Sequence, residues 1–350
     1  MIENRKEEHI NIAKSKDVSP DHNFWDDIKF VHQAVPEIDF DSINTGSDLL
    51  GKKTDFPFLI SSMTGGTERA RNINRNLSRA AEQFGLGMGV GSMRAAVEKK
   101  DLAGTFSVVN DFKPRFKLAN IGAPQLIKQG KNSFDNSMID YAFDLIDADF
   151  LVVHFNFLQE MVQPEGDHNS RGIMKRLTEI AASFPLIVKE TGNGFSREAA
   201  LLLRDAGVRA IDVGGLGGTS FAAIEYYRAE KAGDREKMDS GRTFWDWGIP
   251  SPASISYCQV GLPVIGSGGL RTGLDLARAL SMGAAMGGFA RTLLAGADGN
   301  YGDLERELKQ IIRDLKIAMF LTSSSDVKKL ASARKVIMEP LRSWLAIYGE

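Results

Sequence analysis

Eight short apolar runs, spaced along the chain and alternating with segments of helical length, constrain this sequence more than any other feature. The runs are Phe56–Ser61, Leu86–Val90, Lys117–Ile121, Phe150–His154, Leu186–Lys189, Ala210–Val213, Pro263–Ile265 and Ala285–Phe289. The amphipathic segments between them predict helices over Glu68–Phe84, Asp135–Ile146, Gly172–Ser183, Ser196–Ala206, Pro252–Gln259, Leu274–Met282 and Asp303–Phe320. The second-to-third connection carries the weakest helical pattern. Such alternation builds a parallel α/β sheet, and eight units favour closure into a (β/α)8 barrel over a doubly wound sheet. A dinucleotide-binding unit would show GxGxxG opening a helix directly after its first strand, whereas the glycines of GLGMGVGSMR (85–94) lie within and after a strand. At 350 residues and 43% hydrophobic content the chain fits one barrel-sized domain. The reading is an N-terminal extension over 1–55, a barrel over 56–320 and a C-terminal helical tail over 321–350. Leu216–Ile249 reads as a long loop after the sixth strand, and long barrel loops usually carry function or form a lid.

Composition excludes more than it selects. A net charge of −2 and a pI near 6.3 offer no general attraction to nucleic acid or an anionic membrane. The single cysteine, Cys258, excludes an intramolecular disulfide and a thiolate metal cluster. No stretch has the apolar length of a membrane span, and MIENRKEEHI is charged where a signal peptide needs an apolar run, so the expected location is cytoplasmic.

Chemistry concentrates after the fourth run, in HFNFLQEMVQPEGDHNSR (154–171), where His154, Asn156, Gln159 and Glu160 follow a buried strand. Catalytic groups of parallel barrels stand at that carboxyl end. VIGSGGLRTG (264–273) and AAMGGFAR (284–291) follow the seventh run and span the eighth. Glycines there let backbone N–H groups approach an anion, and the same loops commonly bind phosphate, although tight turns alone also use glycine. SSMTGGT (61–67), VGSMR (90–94) and ANIGAPQ (119–125) add small, hydroxyl and amide groups at the same end, suited to a planar heterocycle. Lys189 in IVKETGNG is either paired structurally or set against an electron-rich ligand, and the phosphate site favours the latter. FMN fits the set, with its phosphate at runs seven and eight, its ring over runs one to five and Lys189 near the N1/O2 edge.

These blocks resemble type 2 isopentenyl-diphosphate delta-isomerases, the FMN-dependent form, along nearly the whole chain. The carrying motifs are RKEEHI (5–10), SSMTGGT, MGVGSMRAA (88–96), ANIGAPQ, HFNFLQEMVQPEGD, VKETGNG (188–194), DVGGLGGTSFAAIE (212–225), FWDWGIPS (244–251) and GSGGLRTG. RKEEHI and the HxNxxQE…QPEGD segment are the specific ones; the glycine turns recur widely among FMN barrels.

The resemblance implies interconversion of isopentenyl and dimethylallyl diphosphate, a 1,3-proton shift without net redox change. It implies reduced FMN and Mg2+, with NADPH as reductant and a homo-tetramer or larger homo-oligomer. Arg5 and Lys6 would grip the substrate diphosphate with His9 close by, and Ser92, Arg94, His154 and Asn156 would add contacts. Glu160 would be the single protein carboxylate on Mg2+, and Glu225 could join a proton relay. An amide hardly titrates, so Gln159 reads as orienting the alkene or a relay, with reduced flavin as the acid/base. Flavin contacts carried over are Met63, Thr64, Gly65, Ser92, Asn120, Lys189, Thr219, Gly268, Gly269, Ala290 and Arg291. Taken alone, Arg5, Lys6 and His9 could equally be a solvated terminus, His154 a core histidine, Glu160 a surface carboxylate and Glu225 a dipole partner at a helix start. The chain also departs from the family pattern: Phe157 stands where Pro is common, Met93 where Gln is common and Trp245 where Arg is common. A flavin oxidoreductase such as a 2-hydroxy acid oxidase would need a His-Gly pair on the strand after the flavin Lys, which DVGGLGGTS lacks; a dihydroorotate-dehydrogenase-like reading needs a loop Cys or Ser base. A non-catalytic flavin or phosphate binder is the remaining class.

Overall fold

Residues two apart on a strand share a face, so the apolar runs divide their side chains between two cores. The structure, a computed structural model, describes residues 2–127, 133–163 and 166–349. Three strands precede the barrel: β1 (Ile28–Phe30), and the antiparallel pair β2 (Ser47–Leu49) and β3 (Lys52–Thr54). The barrel itself is β4 (Phe58–Ile60), β5 (Gly87–Gly89), β6 (Lys117–Gly122), β7 (Phe150–Phe155), β8 (Leu186–Glu190), β9 (Ala210–Asp212), β10 (Val264–Ser267) and β11 (Met286–Phe289), all parallel, with β11 pairing back onto β4. All eight expected runs are strands of this (β/α)8 barrel.

Leu59, Leu118, Val152, Ile187, Ala210, Ile265 and Met286 form the interior cluster, and Leu49 of the β2–β3 hairpin joins it. The hairpin closes the amino-terminal end, where Ser47 Oγ donates to Ala285 O just before β11 (3.3 Å). Their strand neighbours Phe58, Ile60, Leu151, Val153, Val188, Ile211 and Val264 face outward into the larger strand–helix core. Helix Glu68–Gln83 shows why the outer layer forms: Thr67 caps it by accepting from Ala70 N, and Ala70, Ile73, Leu77, Ala80 and Ala81 are buried on one face. Among the described residues no helix is long and apolar enough to cross a membrane.

Three regions differ from the sequence reading. Leu216–Ile249 is no open loop: it holds helices Phe221–Ala232 and Arg235–Thr243, packed on each other. Ser220 caps the first, Gly233 ends it at φ +72 and Asp234 caps the second, but the first buries mostly alanines, so its apolar period is faint. The second-to-third connection is broken into short turns of helix, Arg94–Glu98 and Gly104–Ser107. The segment after 321 contains helices Val327–Ala331 and Leu341–Leu345 but also β12 (Lys335–Ile337), which pairs antiparallel with β1 and ties the two termini together.

Candidate active site

Strand register sets the polar groups at one level. Gly122 of β6 pairs with His154 of β7, His154 with Lys189 of β8, and Lys189 with Asp212 of β9. His154 Nδ1 donates to Asn120 Oδ1 (2.8 Å). Burial, and then the charges of Lys189 and Lys6, lower its pKa to about 4, so the imidazole is neutral at pH 7. Lys189 Nζ meets Asp212 Oδ2 (3.3 Å), Ser267 Oγ (3.3 Å) and the Glu190 carbonyl (3.0 Å) while still facing the cavity. The structural pairing read from the sequence is present, and Lys189 also lines the cavity.

The short helix Phe157–Val162 follows β7 directly and turns a ladder of amides and carboxylates into the mouth. Gln159 Nε2 donates to Glu225 Oε1 (2.9 Å), Asn156 Nδ2 donates to Gln159 Oε1 (3.2 Å) and Glu160 Oε1 (2.9 Å), and Gln163 Nε2 donates to Glu160 Oε2 (2.5 Å). The Asp167 backbone N–H adds a further bond to Glu160 Oε2 (2.9 Å). Pro164 and Glu165 of the QPEGD block lie outside the described residues. Phe157 takes the first helical position, where a Pro would also fit, and packs edge-on against Phe155 at 5.8 Å. The helix forms without Pro, and Gln159 remains aimed at Glu225.

The N-terminal segment is folded, not a solvated tail. Helix Ile2–Ser15 lies over the mouth, held by Glu7 and Asn11 to Arg69 (3.0 and 2.7 Å), Glu8 to Arg228 and Lys231 (3.3 and 2.8 Å), and Lys14 to Asp298. Arg5 reaches Gln163 Oε1 (3.5 Å), and His9 Nε2 donates to Glu225 Oε1 (3.1 Å). Lys6 donates to Ser92 O (3.0 Å) over the Phe106 ring, and burial, then Arg5, lower its pKa to about 7. The hydrogen bonds from His9 and Gln159, with Arg228 at 2.6 Å, outweigh burial and hold Glu225 below the usual carboxylate range. Trp245 packs on Tyr226 and Tyr227 and donates from Nε1 to Ser19 O (2.9 Å), so it anchors the end of this N-terminal strap.

These elements enclose a cavity of about 610 Å³. Its wall includes Arg5, Lys6, His9, Met63, Thr64, Ser92, Arg94, Asn120, His154, Asn156, Gln159, Glu160, Lys189, Thr219, Gly268, Gly269, Ala290 and Arg291. Two proposed residues are not on it. Gly65 packs under Phe106, where a Cβ would come within 2.0 Å of the ring, so that glycine serves close packing. Glu225, 1% exposed, stands behind the wall and meets the cavity through His9 and Gln159. Arg94 lines the cavity but is paired with Glu98 (2.7 Å). Met93, fully buried, donates its backbone N–H to Asn120 O (2.8 Å) and contributes packing.

The residues fit FMN on two observations. At one end Gly268 and Gly269, with φ +97 and +87, line the cavity without side chains, while a Cβ on Gly269 would lie 2.1 Å from Gly217 O, so the turn also packs closely on its neighbour. The Gly268 carbonyl is held by Trp25 Nε1 (3.0 Å) and Ser251 Oγ (2.7 Å), and Arg271 and Arg291 line the cavity beside this turn, a setting that suits an anion. At the other end the buried Ser61 Oγ and Asn156 Oδ1 have no partner, as expected where a polar ligand completes the wall. For a divalent cation, no group of three His, Cys, Asp or Glu stands together among the described residues. Glu160 is buried, and its hydrogen-bond donors among the described residues are neutral, which suits a Mg2+ otherwise liganded by substrate phosphate and water.

Sequence reasoning passed over Gln163, Asp212 and Ser267, all three inside quoted motifs. Their roles arise from cross-strand and cross-helix contacts that spacing does not encode.

The FMN-dependent dehydrogenase family matches residues 152–337. A protein of Picrophilus torridus named isopentenyl-diphosphate delta-isomerase is 63% identical over 99% of this chain and 100% of its own length. One of the same name from Thermoplasma volcanium is 58% identical over 99% of this chain and 100% of its own. Among solved structures, a mutant flavocytochrome b2 with benzoylformate superposes with a TM-score of 0.64 at 14% identity, over 93% of this chain and 82% of that one. A mandelate oxidase mutant gives 0.60 at 14% identity, over 95% and 92%. At that identity the likeness concerns the barrel alone.

Proposed function

The chain belongs to the isopentenyl-diphosphate delta-isomerase family, and on that premise we propose that it interconverts isopentenyl and dimethylallyl diphosphate with reduced FMN and Mg2+. The observation that carries this reading is the continuous ladder from His9 through Glu225, Gln159, Asn156, Glu160 and Gln163 to Arg5. It joins a buried carboxylate, with neutral donors among the described residues, to the strap that bears Lys6.

In this reading the backbone at Gly268, Gly269, Ala290 and Arg291 holds the FMN phosphate, and Met63, Thr64, Ser92, Asn120, Lys189 and Thr219 surround the ring. Glu160 holds Mg2+ against the substrate diphosphate, with Arg5, Lys6, His9, Arg94, His154 and Asn156 around the same anion. When bound, reduced FMN supplies an electron-rich face and exchangeable protons near N5. Removing a proton first from an unactivated allylic carbon would leave an unstabilised carbanion, so protonation of the alkene comes first. Gln159 has both ends of its amide engaged, which fixes its orientation against the alkene and leaves it no titrating role. Lys6 gains its full charge as the polyanion offsets the cost of burial. The strap covers part of the mouth, which reduces the water around these contacts and strengthens them. NADPH as reductant, a homo-tetramer or larger assembly and a cytoplasmic location belong to the same proposal.

Oxidation of a 2-hydroxy acid is disfavoured by the strand after Lys189. Beyond Asp212, Val213 is turned into the outer core, and Gly214 has φ +43 with its Cβ position 1.8 Å from Glu190 O, so no base can stand there.

The test is the purified protein, anaerobically reduced, given isopentenyl diphosphate and Mg2+ in deuterated water. Dimethylallyl diphosphate carrying solvent deuterium, formed only with reduced FMN and without net flavin oxidation, is the expected result. No product, with flavin reduced by a 2-hydroxy acid instead, would overturn the reading.

A further inference from the structure

A lysine at a buried strand end needs acceptors for its N–H groups and a counter-charge, and both are built here from adjacent strands. Asp212 of β9 and Ser267 of β10 are 4% and 3% exposed. Register pairs Asp212 with Lys189 on one side and with Ile265 on the other, which brings Ser267, two residues on, to the next level of the same face. Ser267 Oγ donates to Asp212 Oδ1 and accepts from Lys189 Nζ (3.3 Å) and the Gly214 N–H (3.2 Å). The hydroxyl is thus oriented by three partners, and Asp212 Oδ2 meets Lys189 directly (3.3 Å).

Lys189, Ser267 and Gly214 face the cavity, whereas Asp212 does not. A ligand therefore senses the carboxylate only through the ammonium and the hydroxyl. The neighbouring Glu190 carboxylate also acts on Lys189: its Oε2 accepts the backbone N–H groups of Thr191, Gly192 and Asn193 (2.7, 2.8 and 2.5 Å), but burial pushes its pKa up to about 7, so near neutral pH it carries part of a negative charge that offsets the ammonium further. The wall at this point presents a cation whose charge is largely offset and whose three N–H groups already have acceptors. A heterocycle that gains negative charge on reduction must compete for a hydrogen bond here and finds little net electrostatic attraction for the added electrons.

We propose that Asp212, acting through Ser267 and Lys189, is a positioning residue that offsets the charge facing the flavin ring and so keeps the reduction potential of the bound cofactor low. A low potential means an electron-rich reduced ring, which suits proton transfer without net oxidation. The proposal rests on the reading that FMN occupies this cavity.

The experiment equilibrates the FMN-loaded protein with dyes of known potential near neutral pH, for wild type, Asp212→Asn, Asp212→Glu and Ser267→Ala, alongside fluorescence titration of oxidised FMN. Asp212→Asn is expected to raise the ratio of reduced-FMN to oxidised-FMN affinity at least tenfold, an upward shift of about 30 mV for the two-electron couple. Asp212→Glu should return most of that shift, and Ser267→Ala should move the potential upward by less. A flavin-loaded Asp212→Asn protein whose potential is unchanged or lowered overturns the proposal. Should Asp212→Asn fail to fold or to hold flavin, Ser267→Ala decides, and an unchanged potential there is equally fatal. Wild-type protein that takes up no FMN refutes the functional reading and this proposal together, whereas loaded protein with an unmoved potential refutes this proposal alone.

Discussion

Replacing Glu225 by Ala removes a carboxylate that never touches the cavity, so the loss measures positioning. Its Oε1 accepts from His9 (3.1 Å) and Gln159 (2.9 Å), and its Oε2 from Arg228 (2.6 Å). Arg228 keeps Glu8 at 3.3 Å, so its charge stays paired, while the Gln159 N–H is left in a buried wall. An unsatisfied buried donor costs about 1–3 kcal/mol. Severing a buried ion pair costs about 3–5 kcal/mol when nothing replaces the partner. With Glu8 still in place, a total destabilisation of about 2–4 kcal/mol is expected, measurable as a lower urea midpoint. Turnover should fall further than stability explains: freeing an amide that must be held in one orientation costs about 100-fold in rate, while KM stays within about threefold, since tenfold would require about 1.4 kcal/mol of lost binding. The assay is deuterium incorporation into dimethylallyl diphosphate at a temperature where the variant is fully folded. Glu225→Gln keeps an acceptor for Gln159 and His9 and turns only its amide toward Arg228, so it should recover most of kcat. If Glu225→Ala retains wild-type kcat, the orienting argument fails. If Glu225→Gln is as inactive as the alanine variant, the carboxylate must titrate and Glu225 belongs to a relay.

Three further outcomes follow from the same geometry. The His154 pKa is depressed in the folded state relative to the ordinary value near 6.5, so the unfolded chain takes up the proton first as pH falls; stability present above about pH 6.5 is lost toward about pH 4, and urea midpoints of His154→Gln should fall less over that window. Lys6, with its pKa near 7, should take up a proton when inorganic pyrophosphate binds; calorimetry in two buffers of different ionisation enthalpy should show, near neutral pH, more net proton uptake in the wild type than in Lys6→Met, the difference being the share of Lys6. Glu160→Gln should raise the Mg2+ concentration needed for half-maximal turnover at least tenfold with FMN content unchanged, and turnover lost to a chelator should return on adding Mg2+ to wild type.

Much of the barrel was legible from local pattern. Buried parallel strands must be apolar runs, and each outer helix must bury one stripe, so Phe150–Phe155 and Glu68–Gln83 announced themselves. The insert after β9 did not, because Phe221–Ala232 buries small alanines and is recognisable chiefly by Ser220 and Gly233 at its ends. β12 was hidden for another reason: Lys335–Ile337 is a strand only because Ile28–Phe30 lies beside it, some three hundred residues away in sequence.

At the site the division runs the same way. Residue identity and order, in RKEEHI and HxNxxQE, determine which chemistry the chain can carry, since a few side-chain types at tight spacing suffice to mark cations, amides and a carboxylate. Only the tertiary structure decides which of them meet. Register sets Lys189 between His154 and Asp212, the strap brings Lys6 and His9 to the barrel mouth, and the insert helix delivers Glu225 to Gln159 from behind the wall. Those pairings span up to some two hundred residues of chain. They are chosen by the packing of strands and helices that local sequence specifies one at a time but cannot, by itself, bring together.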